Sequence, residues 1–165
     1  MSFLVDRMQP PDRDEMREIY LQGIAGGQAT FETEAPSWEQ WDATHLGAPR
    51  LVARDAGKII GWAALSPVSQ RRAYAGVAET SVYVAFDKHG MGVGRQLLDA
   101  LISESEQNGV WTLQAVMFAE NQASVALHRG CGFREVGRRE RISKLNGVWR
   151  DTILLERRST RIGVY

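Results

Sequence analysis

The chain has 165 residues, enough for one domain whose folding removes roughly two-thirds of its chain surface from water without staples. Lys plus Arg and Asp plus Glu both number 20, so the net charge is zero and a nucleic-acid partner has no electrostatic support. The lone Cys131 excludes an internal disulfide and gives no cysteine metal site, and no apolar run approaches membrane-spanning length. With no signal-peptide pattern at its start, the chain reads as cytoplasmic, soluble and metal-free.

The pattern of the chain predicts its elements in order. Phe3 to Arg7 alternates as an edge strand. Pro10-Pro11-Asp12 opens a helix that runs to about Ile24, and Gly26-Gly27 ends it. Ala29 to Glu34 is irregular or extended, and Ser37 caps a short helix through Trp38 and Trp41. Arg50–Arg54 and Lys58–Leu65 form a hairpin around Asp55-Ala56-Gly57. A polar stretch from Ser66 to Gly76 leads into a strand over Val77–Phe86. Gln96–Gln107 carries an amphipathic face of Leu97, Leu98, Leu101 and Ile102 and stops at Asn108-Gly109. Trp111–Phe118 is a strand and Asn121–Cys131 a short helix, with Cys131 a buried small hydrophobe. Phe133–Lys144 and Val148–Glu156 pair around the hairpin turn Asn146-Gly147. The five cations between Arg134 and Lys144 read as a solvated strand face. This order predicts a single α+β or mixed α/β domain, residues 1–165, with a mostly antiparallel sheet of six or seven strands covered by helices.

Three features carry chemistry. Gly90, Gly92 and Gly94 lie between a strand and a helix, flanked by Lys88 and Arg95. Such a turn aims unpaired helix N–H groups at one point, which suits a phosphate. It lacks the Gly-Lys-Ser/Thr ending of a P-loop, and its glycine spacing and surrounding order disfavour a dinucleotide turn. A pyrophosphate loop and a turn that lets the helix pack on the sheet both remain open. Glu79 interrupts a strand-forming segment, with Ser81 and Tyr83 on its face and Thr80, Val82 and Val84 on the other. It reads either as a general base or as a carboxylate paired with a nearby arginine. Asn121 caps a helix on which His128 lies two turns later on the same face. His128 is either a C-terminal histidine facing the helix dipole or a proton donor at a cleft mouth.

Together these features resemble the GCN5-related N-acetyltransferase superfamily. The resemblance rests on His89-Gly90-Met91-Gly92-Val93-Gly94, where His89 departs from the usual Gln or Arg, and on the later Asn121 to Gly132-Phe133 element. Ala29-Thr-Phe-Glu-Thr33, Arg71 with Tyr74, Val77–Val84, Leu127-His128 and Gly147–Asp151 are similar to the phosphinothricin and methionine sulfoximine acetyltransferase group. The resemblance implies the superfamily's acyltransferase fold, acetyl-CoA as co-substrate and a small amine as acceptor. It implies a homodimer and no nucleic acid, membrane or metal partner. Catalysis would fall to Glu79 and His128. The cofactor would be held by Val82, Tyr83, Val84, the loop from His89 to Arg95, Asn121 and Ser124, with an amide of the Val82–Val84 stretch facing the oxyanion. The acceptor would meet Phe31, Arg71, Tyr74, Glu79 and Thr80. Phe31 and Trp149 equally suit core or interface packing. Other amines (a protein N-terminus, a polyamine, an aminoglycoside) are alternative acceptors, and a non-catalytic acyl-CoA sensor is a second class. A nicotinamide oxidoreductase is disfavoured by the glycine spacing.

Overall fold

The computed structural model describes residues 2–165. Seven strands form one sheet in the order β1 (Leu4–Arg7), β2 (Arg50–Asp55), β3 (Lys58–Pro67), β4 (Val77–Val84), β5 (Thr112–Phe118), β7 (Val148–Arg158) and β6 (Arg134–Leu145). Neighbours are antiparallel except β4 and β5, which the crossover through α3 (Val93–Gln107) leaves parallel. The strand count and mostly antiparallel character agree with the sequence.

Alternation along the strands builds a core on each face. Leu51, Ala53, Ile60, Ala63 and Leu65 meet Leu97, Leu98 and Leu101 of α3, with α4 (Gln122–Gly130) on the same side. Val52, Ile59, Trp62 and Ala64 meet Met16 and Ile19 of α1 (Arg13–Gly26) and Trp41 of α2 (Trp38–Thr44). Beside this second core, buried Asp12 receives two hydrogen bonds from Arg54, of 2.7 and 2.6 Å. Burial works against ionisation of this carboxyl, but the Arg54 and Gln9 N–H bonds prevail and hold it below the usual carboxylate range.

Several boundaries differ from expectation. Pro10–Asp12 forms a separate 3-10 turn ahead of α1, where two prolines are tolerated because first-turn N–H groups have no intrahelical acceptor. β4 stops at Val84, and Phe86–Lys88 is a second 3-10 turn. Helix α3 begins at Val93 rather than Gln96, because Gly92 at φ 82° completes the turn and Val93-Gly94-Arg95 already winds as helix. The Asn146-Gly147 turn holds with both residues left-handed, at φ 49° and 81°. Arg134, Arg138, Arg139 and Arg141 lie on exposed β6 as expected, and two of them pair at 2.7 Å with Glu156 and Asp151. Cys131 is buried, and burial pushes its thiol up to about 11, which leaves it unreactive at neutral pH.

Candidate active site

The site arises where two strands part. β4 and β5 keep register for only three pairs, Val77 with Thr112, Ala78 with Leu113 and Glu79 with Gln114. Beyond Glu79 the strands diverge around a cavity of about 900 Å³. Five consecutive residues of β4, Glu79 to Tyr83, and four of β5, Ala115 to Phe118, line that one cavity. Successive strand residues point to opposite faces, so the cavity passes through the sheet at the split.

The split frees main-chain groups. Ala85 N–H bonds Ile60 O at 2.9 Å and Val68 N–H bonds Val77 O at 3.3 Å. In an antiparallel ladder this parity turns the amides of Glu79, Ser81 and Tyr83 to β3 and those of Thr80, Val82 and Val84 away from it, with Thr80 beside the last β4–β5 pair and Val82 and Val84 past it on the open side. Val82 and Val84 thus fit the expected donor row. Tyr83 does not, and instead lays its ring on Trp62 at 4.8 Å on the α1 face.

Glu79 accepts a 2.8 Å hydrogen bond from Gln114 Nε2, its register partner. The arginine partner considered in the sequence is replaced by an amide, which fixes the carboxylate without a counter-charge. Gln114 was readable only as a polar residue inside an apolar strand. Phe31, Thr80, Asn121, Ser124 and His128 also line the cavity. Phe31 stands edge-on to Phe118 at 4.7 Å, while Asn121 Oδ1 accepts the Ser124 amide at 3.2 Å and caps α4.

His128 is buried, at 5% exposure. Its Nδ1–H donates to Ser124 O at 2.8 Å, so Nε2 holds the lone pair that faces the Thr80 hydroxyl at a long 3.4 Å. Burial keeps the imidazole neutral by lowering its affinity for a proton. His128 therefore rests as a proton acceptor at Nε2, and acts as a donor only after taking a proton there.

Burial also lowers His45, which stacks on Trp41 at 4.0 Å in the same cavity. Both imidazoles fall below the ordinary 6.5. The unfolded chain then binds protons that the folded one refuses, so stability is full above pH 6.5 and falls as acid is added. We expect the urea midpoint to drop between about pH 7.5 and about pH 5.5, and His128→Asn to remove part of that slope.

The other expected site residues lie outside this cavity. Arg71 precedes and Tyr74 ends a one-turn 3-10 helix just before β4, with the guanidinium 5.8 Å from the Tyr74 ring centroid and Tyr74 46% exposed. Among the described residues no lysine or arginine lines the cavity; its acidic side chains are Glu32, Glu34 and Glu79. The glycine loop sits past the end of β4. Gly90 and Gly92 are left-handed, at φ 76° and 82°, and a Cβ on either would stand in open space. Gln96 N–H makes the first intrahelical bond, to Gly92 O, which leaves the amides of Val93, Gly94 and Arg95 to face the cradle. His89 turns away from that cradle and donates Nε2–H to Val84 O at 2.9 Å, so it braces the strand end. Exposed Arg95 pairs with Asp99 at 3.1 Å, and Met91 is exposed on the loop.

Two buried polar atoms of cavity-lining residues, Trp62 Nε1 and Thr152 Oγ1, have no partner among the described residues. Neither stands out in the sequence: Trp62 sits in an apolar run that reads as core, and Thr152 lies between the charged Arg150-Asp151 pair and the apolar end of the last strand. An open amide row, a phosphate-shaped loop at its end and a fixed carboxylate at its start form one line along β4.

Residues 13–133 match the model of the acetyltransferase (GNAT) family. The phosphinothricin N-acetyltransferase of Alcaligenes faecalis is 36% identical over 153 residues, covering 88% of this chain and 77% of its own. The L-methionine sulfoximine/L-methionine sulfone acetyltransferase of Pseudomonas aeruginosa is 34% identical over 134 residues, or 81% and 73% of the two chains. The crystal structure of a GNAT superfamily phosphinothricin acetyltransferase from Sinorhizobium meliloti, in complex with acetyl-CoA, aligns with a TM-score of 0.86 at 28% identity, covering 96% of this chain and 89% of that one. No helix among the described residues is long and apolar enough to cross a membrane. On the span of the family match and the identity to these relatives, the chain belongs to the acetyltransferase (GNAT) family.

Proposed function

We propose that the protein transfers acetyl from acetyl-CoA to the α-amino group of a small amino acid or analogue of the phosphinothricin, methionine sulfone or methionine sulfoximine type. The observation that carries this reading is the cavity through the sheet, which gives donor and acceptor separate approaches to one point. The glycine cradle and the α3 amides suit the diphosphate of acetyl-CoA, and Val82 and Val84 suit the chain that follows it. Asn121 and Ser124 flank the same side. Bound there, acetyl-CoA supplies an acetyl group activated as a thioester.

The residues then divide the work. Glu79 takes a proton from the acceptor ammonium, which is not nucleophilic until it loses one. The freed amine attacks from the aromatic side, where Tyr20, Trp41, Trp62 and Tyr83 shape the pocket and Phe31 closes it. An amide of the Val82–Val84 row donates to the carbonyl oxygen as negative charge gathers there. As the nitrogen bonds the acetyl carbon it sheds a second proton, which His128 takes at Nε2 by way of Thr80 and passes to the sulfur as the C–S bond breaks. Arg71 and Tyr74, on the turn ahead of β4 and outside the cavity lining, are assigned to the acceptor's anionic end, as a guanidinium fork suits a carboxylate.

A homodimer belongs to this reading. Val148 and Trp149 at the hairpin tip are 60% and 53% exposed, and the β6 face adds exposed Val136 and Ile142. Trp149 is thus not core within one chain, and a second copy would cover it. Cytoplasmic action on toxic amino-acid analogues, a detoxification by masking the amine, completes the proposal.

The test is thiol release from acetyl-CoA over a panel of phosphinothricin, methionine sulfone, methionine sulfoximine, common amino acids, polyamines and an aminoglycoside. Saturable turnover concentrated in the first three is the expected result, with sedimentation of the same sample giving a dimer. Turnover confined to polyamines would assign the carboxylate-lined cavity to cationic acceptors instead. Acetyl-CoA binding without any turnover would favour the sensor reading.

A further inference from the structure

The acceptor half of the cavity is roofed by the segment that joins α1 to α2. Seven of its residues, Ala29 to Glu32 and Glu34 to Pro36, line the cavity. This segment has no helix or strand of its own, so something outside it must set its position. Arg150 of β7 does so. Its guanidinium donates to Gly27 O at 3.1 Å, to Gln28 Oε1 at 2.7 Å and to Glu120 Oε2 at 3.2 Å. Its central carbon also lies 3.9 Å above the Phe118 ring. Phe31 stands edge-on to that same ring, with centroids 4.7 Å apart. Asn121 Nδ2 adds one bond to Gln28 O at 3.1 Å.

The chemistry of each contact favours arginine. Gly27 is left-handed at φ 70° and ends α1, so its carbonyl belongs to the negative end of the helix dipole. Only a guanidinium fork bonds two loop oxygens and a carboxylate while stacking flat on a ring; an ammonium cannot do all four. The side chain is 13% exposed, which shields these bonds from competing water.

We propose that Arg150 is a positioning residue for the acceptor. It fixes the start of the Gln28–Pro36 segment and, through the shared Phe118 ring, the placement of Phe31 over the acceptor pocket. This rests on the acetyl-transfer reading for its kinetic consequence, but not for its structural one. Arg150→Lys and Arg150→Gln should each raise the acceptor KM by about tenfold, consistent with loss of charge-assisted bonds at a cavity wall. The acetyl-CoA KM and kcat should stay within about threefold, because the glycine cradle and Glu79 lie elsewhere.

The experiment pairs those kinetics with amide hydrogen exchange on the protein without ligands. Exchange over residues 28–36 should quicken by about tenfold in both variants, with β4 and α3 unchanged. Lysine failing to restore arginine's behaviour is part of the expectation. Unchanged exchange at 28–36 would overturn the proposal whatever the kinetics. Faster exchange throughout the chain, with kcat and both KM values altered together, would overturn it by showing general loosening. If the wild type acetylates no amine on the panel, the acetyl-transfer reading fails, and the exchange result still decides whether Arg150 holds the segment.

Discussion

Glu79→Gln should lower kcat by about 10²- to 10⁴-fold, the usual contribution of a positioned general base. Glutamine keeps the shape of the side chain and an oxygen that can still accept from Gln114 Nε2, now at 2.8 Å from the carboxylate. The cavity, the acetyl-CoA KM and the folding midpoint should therefore hold. What is lost is the group that takes the ammonium proton. The variant then depends on amine already free in solution, so its rate should rise about tenfold per pH unit until the amine's own titration is reached. Stopped-time thiol assays at several pH values read both effects. A loss of less than about threefold would make Glu79 a structural carboxylate and return the search for a base to His128 and a water chain.

Gly76→Ala should produce the largest loss of stability. A Cβ at Gly76 would lie 2.0 Å from Trp111 Cε3 and 2.3 Å from two more atoms of that ring. Gly76 O also accepts from Trp111 N–H at 2.8 Å and Thr112 N–H at 3.1 Å, the bonds that start the β4–β5 seam. The indole must move, and the seam's first bonds lie beside it. Overpacking of this kind costs about 1–3 kcal/mol, with the upper end expected because the obstacle is a ring rather than a flexible side-chain end. Urea unfolding measures it. Gly26→Ala is the matched control. A Cβ there meets nothing within 4 Å at the end of α1, so the change should be neutral or stabilise by up to about 1 kcal/mol. Equal behaviour of the two variants would sink the steric account.

Much of this architecture is legible in the residues because local rules agree with the fold. Ser37 does cap α2, accepting from Gln40 N–H, and Gln40 returns the bond to Ser37 N–H. Period-two alternation in β3 and β4 separates the two cores, and Asn146-Gly147 fixes the register of the last hairpin. The start of α3 is not legible, since Val93-Gly94-Arg95 carries a glycine that reads as loop until Gly92 is seen to finish the turn. Within the site, Glu79 announces itself as an acid in an apolar strand. Gln114 and Arg150 do not, because their roles exist only after β5 and β7 are laid beside β4 and α1. The separation of Arg71 and Tyr74 from the cavity depends on how the β3–β4 connection turns, which pattern alone does not encode.

The short seam has a consequence for aggregation. Sheet edges invite strand addition, and proteins blunt them with short length, charge or irregularity. β1 is four residues long, and β6 carries five cations and two register shifts. β4 has neither device, although past Glu79 it presents an open row of amides like an edge. The interior of the wedge shelters that row between α4, the α1–α2 segment and β5. The protein thus guards its two outer margins by sequence and its inner one by shape.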